Sequence, residues 1–292
     1  METPTLVMTS LLLLLPFLVF LPAFSDTDVA LFSDGQATLS TGQILVNGEN
    51  RVTINNDCQL ELRRADGSRW TSMRREANTK CNARINKRGE VIIRTEDGRV
   101  VDVLGDVGDV GSYALVLTPE GHLKTFGPTI WAGDLTATAA TSAPYHCSRL
   151  GSEADPGYIL YSSDRSIDVP ESGTLLKNDK YRLILDSSDC DLSVINEESR
   201  PHHLKVVNRV PTTRDSTTTC EVKLTPEGEL LTALYTVNPE KYGIDPVWHR
   251  VFGTGVTTVQ PTEFIAALLD TGEFRIYPLK SRIDSNSGAS GV

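Results

Sequence analysis

Short runs in which apolar and polar residues alternate recur along this chain, at residues 51–54, 91–94, 114–117 and 181–185. A period of two puts successive side chains on opposite faces of a β-strand. Helical periodicity is poor throughout, so the pattern predicts an all-β protein. The alternating runs are joined by a repeated skeleton. Asp57-Cys58-Gln59-Leu60-Glu61-Leu62 returns as Asp189-Cys190-Asp191-Leu192-Ser193-Val194, and Leu117-Thr118-Pro119-Glu120-Gly121 returns as Leu224-Thr225-Pro226-Glu227-Gly228. Residues 85–91 and 268–274 share the same order: an apolar residue, three turn formers, Gly or Cys, one polar residue, then alternation. That order describes a hairpin with its strained position at Gly or Cys. Those positions are 58, 89 and 121, then 190, 228 and 272, which gives three hairpins in each of two halves.

Three stretches break the pattern. Residues 11–24 read LLLLLPFLVFLPAF, 14 apolar residues without a charge. A bilayer span needs roughly 20. The run fits the core of a secretory signal peptide covering residues 1–25, with Ala23 and Ser25 as the small residues before cleavage. The Ala/Thr/Ser/Gly-rich segment around residues 132–157 lacks alternation and predicts a linker at 134–156. The polar, Gly/Ser-rich end from Ser281 predicts a disordered tail at 281–292. Two domains remain, at residues 26–133 and 157–280.

Charge narrows the partners. The 292 residues carry 28 Lys+Arg against 38 Asp+Glu, a formal net charge of −10. Removing the leader deletes Glu2 and no base, which leaves 28 − 37 = −9. Such a balance argues against nucleic acid and against a polybasic membrane contact. No other segment is apolar enough to span a membrane. The expected product is secreted or vacuolar, delivered through the secretory pathway.

That compartment favours disulfides. Of five cysteines, Cys58 and Cys81 are 23 residues apart, and Cys190 and Cys220 are 30 apart. Each pair would close a loop within one half, contributing roughly 3–4 kcal/mol. Cys147 is left over, which suggests a free thiol or a bridge within a homo- or hetero-oligomer. The absence of a paired C-x-x-C spacing counts against zinc.

With these features in place, the chain resembles the bulb-type (monocot mannose-binding) lectins in a tandem two-domain form. The resemblance rests on the opening Leu31-Phe32-Ser33-Asp34-Gly35-Gln36-Ala37-Thr38-Leu39-Ser40 and its second-half counterpart Tyr158-Ile159-Leu160-Tyr161-Ser162. It rests also on the Asp-Cys hairpins with a partner cysteine downstream, and on Ile130-Trp131-Ala132, with Trp70 and Trp248 in equivalent places. It covers nearly the whole chain after the leader. It implies two tandem β-prism II domains, each with three four-stranded sheets around a pseudo-threefold axis, and tryptophans packed inside. It implies mannose or mannose-containing glycans as partner, no enzymatic activity and no cofactor.

The family's sugar motif, Q-x-D-x-N-x-V-x-Y, sets four polar side chains on one strand face around an apolar one. Here the first hairpin offers Asn55, Asp57, Gln59, Glu61 and Arg63, an acid flanked by amides whose donors are expected to remain available. Ser187, Asp189, Asp191, Ser193 and Ile195 keep one acid in register. Leu269, Thr271, Glu273, Arg275 and Tyr277 keep only the tyrosine. The other three hairpins (residues 86–94, 118–126 and 225–233) keep none of the motif. Candidate sugar ligands are therefore Asn55, Asp57, Gln59, Arg63, Asp189, Asp191 and Tyr277. The implied function is a lectin of altered or weakened specificity, in defence or storage. The competing reading is a lectin-fold storage or protein-interaction protein without sugar binding.

Other chemistry finds little support. Adjacent His202 and His203 point to opposite faces of a strand and read as a surface loop. Asp102, Asp106 and Asp109 lack the spacing of a calcium loop and read as a solvated turn. No metal is expected. Nucleophile-elbow, P-loop and dinucleotide signatures are missing from the sequence.

Overall fold

A computed structural model describes residues 29–35, 37–133, 159–162, 167–168, 174–185, 192–196, 202–203, 218–236, 247–255, 258 and 262–285. The first half contributes β1 (Ala30–Phe32), β2 (Leu39–Ser40), β3 (Ile44–Asn47), β4 (Asn50–Ile54), β5 (Leu60–Arg63) and β6 (Arg69–Thr71). It continues with β7 (Cys81–Ile85), β8 (Val91–Thr95), β9 (Val100–Leu104), β10 (Ala114–Leu117), β11 (Leu123–Phe126) and β12 (Trp131–Ala132). The second half adds β13 (Ile159–Tyr161), β14 (Ile167–Asp168), β15 (Thr174–Lys177), β16 (Tyr181–Leu185), β17 (Leu192–Asn196) and β18 (His202–His203). It ends with β19 (Thr218–Leu224), β20 (Leu230–Thr236), β21 (Val247–Gly253), β22 (Phe264–Leu268) and β23 (Phe274–Arg282), then a 3-10 turn at Ile283–Ser285. The all-β expectation holds.

In the first half, β3-β4-β5-β6 and β2-β7-β8-β9 are four-stranded antiparallel sheets, and β1-β10-β11 begins a third. The alternation in the sequence aims one face of each sheet inward. Leu45, Val52, Leu62 and Trp70 from the first sheet meet Ala83, Ile85, Val91 and Ile93 from the second, and Leu115, Leu117 and Leu123 from the third. Three sheets sharing one core produce the three-sided prism, and each buried aliphatic side chain contributes roughly 1.5–3 kcal/mol. The second half repeats the plan in β15-β16-β17-β18, β14-β19-β20-β21 and β13-β22-β23. Its core gathers Leu183, Leu185, Leu192, Val194, Val222, Leu230, Phe264, Leu268 and Phe274.

The third sheets of the two halves are one sheet. β23 is nine residues long. Its first part pairs with β22, from Leu268↔Phe274 to Phe264↔Pro278, while Leu279, Ser281 and Arg282 pair with Phe126, Thr125 and Lys124 of β11. In exchange, Trp131 and Ala132 leave the first half and pair with Ile276 and Arg275. Each half thus supplies a fourth strand to the other. Trp131 packs on the second-half core, edge-on to Phe274 at 6.1 Å.

This exchange corrects two sequence expectations, and the sheets beside it correct two more. Ser281–Ser285 do not begin a disordered tail: they finish β23 and a 3-10 turn, because the unpaired edge of β11 needs a partner for its backbone groups. Residues 286–292 lie outside the described residues. Trp131–Ala132 belong by pairing to the second half. Trp70 is inside its own half as expected, whereas the side chain of Trp248 lies outside the description. His202 and His203 form β18, paired with Val194 and Ser193, and not a loop. Asp102 is buried in β9, with its carboxyl pKa raised by burial although the Val103 N–H (3.0 Å) and Arg74 (3.8 Å) oppose the shift.

The hairpin turns carry the predicted strain. Gly272 has φ +82, and a Cβ there would lie 2.5 Å from the Tyr181 ring. Gly272→Ala is therefore expected to cost about 1–2 kcal/mol through the left-handed backbone and the displaced ring. Urea unfolding should show a lower midpoint at unchanged slope, and an unshifted midpoint would contradict this account.

Candidate functional site

The first hairpin shows what local sequence does to the candidate ligands. Its turn closes by Cys58 N–H to the Asn55 carbonyl and Asn55 N–H to the Gln59 carbonyl, both at 3.0 Å. Cys58 takes φ 58, the left-handed position held by Gly89, Gly121, Gly228 and Gly272 in four other hairpins. The Asn55 side-chain oxygen accepts from the backbone N–H groups of Asp57 (2.9 Å) and Gln59 (3.0 Å). Asn86, Thr118 and Thr225 receive equivalent N–H donations in their own hairpins. Asn or Thr at the first motif position is thus a turn cap, because a short polar side chain reaches the amides two and four residues on.

Gln59 is also committed. Its Nε2 donates to the Ser72 carbonyl at 2.9 Å, and its Oε1 accepts from Asn55 Nδ2 at 3.4 Å. Each amide nitrogen thus spends one of its two N–H donors inside the hairpin, which leaves one donor apiece for a ligand. Asn is one methylene shorter than the family's Gln, and that difference turns the side chain back onto the loop. Asp57 is half-buried, and its carboxylate has no hydrogen-bond or ion-pair partner among the described residues. It remains an open acceptor.

Further along β5 the pattern inverts that of a neutral-sugar site. Glu61 is 3% exposed and pairs with both Arg63 and Arg69. Burying that carboxylate is tolerated because two guanidinium groups satisfy it. Arg63, at the position of the family's tyrosine, stays mostly exposed.

The third-sheet sites are closed. Tyr277, expected as a ligand, is fully buried with Phe126, Ala30, Ala114, Ile265 and Ala267, where the outer faces of the two third sheets pack together. A solvent-borne sugar does not reach it. Burial pushes its phenol pKa up. Beside it, Arg275 bonds Ser112 at 2.6 Å and pairs with Glu273 and with Asp34 from the other half. Lys124 is likewise buried and paired to Glu263. One signal for this lay in the sequence: residues 114–117, expected to alternate, are the continuous apolar run ALVL, and FIAAL at 264–268 is another, the signature of strands covered on both faces. A cleft of about 430 Å³ opens between Ser33–Thr38 and Arg84–Lys87, with no motif to announce it.

Asp189 and Asp191 lie outside the described residues, as do Cys190 and Cys147. Cys220 is on β19, with its side chain undescribed. Cys58 and Cys81 do form a disulfide. Among the described residues no group of three His, Cys, Asp or Glu could hold a metal, and no helix is long and apolar enough to cross a membrane.

The sequence matches no protein-family model. It is 31% identical over 133 residues to mannose-specific lectin 2 of Colocasia esculenta, covering 44% of this chain and 48% of that one. It is 26% identical over 193 residues to mannose-specific lectin 1 of Crocus vernus, covering 65% and 67%. The chain spans about half the length of the first curated relatives it matches. In fold it is similar to the fetuin-binding two-domain agglutinin of Scilla campanulata, with TM-score 0.59 at 21% identity over 88% of this chain and 99% of that one.

Proposed function

We propose a glycan-binding function for this chain, which belongs to the bulb-type (monocot mannose-binding) lectins in their tandem two-domain form. The first hairpin is the site, and mannose-containing glycans are the ligand class. The observation that carries this reading is the open carboxylate of Asp57, fixed in place by the Asn55 cap. A carboxylate is the strongest acceptor for paired sugar hydroxyls. The relatives named as mannose-specific support the ligand class. The engaged amides of Asn55 and Gln59 limit affinity, since each lost hydrogen bond weakens binding by about 1 kcal/mol. A dissociation constant of about millimolar follows, near −4 kcal/mol. The leader at residues 1–25 supports passage through the secretory pathway, to the exterior or a vacuole. A role in defence or storage fits a lectin there, and Cys147 is a candidate for linking chains.

Asp57→Ala is expected to abolish mannose binding, because no other first-hairpin group replaces the acceptor. Titration with mannose and mannobiose, followed by amide resonances around residues 55–59, tests it. Wild-type resonances unmoved at high millimolar sugar would sink the reading. The second reading, a lectin-fold storage or interaction protein without sugar binding, draws on the sealed third-sheet faces and would then lead.

A further inference from the structure

We propose that the outer face of the first sheet binds acidic saccharides through a row of three arginines, an inference that rests on the glycan-binding reading and specifies its ligand. Arg51 of β4 is directly opposite Arg63 of β5, which is directly opposite Arg69 of β6. Their neighbours Val52, Leu62 and Trp70 fill the core, so the arginines point outward from the other face. Like charges in direct opposition across strands are destabilising, and nothing in the packing of this sheet requires them. Glu61 relieves part of the repulsion by pairing with Arg63 and Arg69 from beneath. Three guanidinium groups over one carboxylate leave 3 − 1 = +2, and Arg51 has no carboxylate partner among the described residues.

The next row suits a sugar ring. Thr53 and Thr71 flank Glu61 across the strands and add hydroxyls. Val46 and Ile44 of the edge strand stand opposite Arg51 and Thr53, half-buried, and offer an apolar margin. Planar guanidinium groups bind carboxylate or sulfate in bidentate fashion. Glu61 and Arg63, which remove the flat apolar contact of a neutral-sugar site, are thus the groups that organise an anion site.

The experiment uses the intact protein and three oligosaccharide probes measured by calorimetry. Tetragalacturonate carries carboxylates, a sulfated galactan tetrasaccharide carries sulfates, and mannotriose is neutral. At least one acidic probe is expected to bind ten times or more tighter than mannotriose, and to weaken as salt rises. The carboxylate and sulfate arms identify the anion. Arg51→Gln with Arg69→Gln should lower acidic-probe affinity at least tenfold and leave mannotriose binding unchanged. Asp57→Ala should do the reverse. Because Arg69 also pairs with the buried Glu61, Arg51→Gln alone, at an exposed side chain outside that ion pair, should weaken the acidic probes in the same direction with the melting temperature unchanged. Silence towards mannotriose with acidic binding intact would end the mannose assignment and support this one. The proposal is overturned if acidic probes bind no better than mannotriose, if the double variant binds them like wild type, or if poly-glutamate displaces them at equal charge concentration.

Discussion

Asp284→Ala is expected to lower the melting temperature by roughly 5–12 °C, the effect of about 2–4 kcal/mol in a protein of this size. The Asp284 side chain has no exposure. It accepts from Arg64 of the first half, from Arg282 Nε at 3.0 Å and Nη2 at 3.1 Å, and from the Leu123 N–H at 3.3 Å; His122 Nδ1 lies 3.4 Å away. Arg64 in turn donates to the Gly121 carbonyl at 2.8 Å. One carboxylate therefore ties the end of β23 to the first half. Its removal strands two guanidinium groups and a backbone donor. The figure is discounted for the 41% exposure of Arg282.

The pH dependence has a definite sign. Burial raises the Asp284 pKa, but hydrogen bonds from Arg282 and Arg64 outweigh it and hold the carboxyl below its ordinary value. A depressed folded pKa gives stability that is complete above the unfolded value, near 3.9, and lost as pH falls through the folded one. The gap in melting temperature between wild type and Asp284→Asn should close below about pH 4. A gap that persists unchanged to pH 2 would show that the carboxylate charge is not what secures the joint.

Opening the Cys58–Cys81 bridge should cost about 3–4 kcal/mol, from the added freedom of an unfolded loop of 23 residues. Both cysteines are buried in the first-half core. The bridge joins the first hairpin turn to the start of β7, and so ties the first sheet to the second. The informative variant is Cys58→Gly with Cys81→Ala. Glycine relieves the φ of 58 that Cys58 tolerates, so the remaining loss reports the cross-link itself. Guanidinium unfolding of the variant, and of reduced wild type, should give the same lowered midpoint. Equal stability of oxidised and reduced wild type would refute it.

Much of the local structure follows from neighbours in the sequence. Alternation placed Leu45, Val52, Leu62 and Ile93 inside, and the Gly or Cys in each of the five described turns marked where the backbone goes left-handed. The two-half repeat and the first disulfide were legible for the same reason: hairpins and short loops close over a few residues, within reach of propensity and spacing. The candidate ligands were legible as residue types but not as available groups. Asn55 looks like an amide offered to a sugar, yet its oxygen faces the amides of Asp57 and Gln59, and only the turn's dihedral angles decide that.

What tertiary structure alone decided involves partners far apart in the chain. Asp34 meets Arg275, Arg64 meets Asp284 and Lys124 meets Glu263, across separations of 241, 220 and 139 residues. No local pattern encodes such pairings. They exist because β11 and the end of β23 each present an unpaired edge, and joining them satisfies both rows of backbone groups at once. That junction buries Tyr277, orders residues 281–285 and moves Trp131 into the second core. The sequence determined which faces are apolar; the meeting of the two halves determined which of them ever see water.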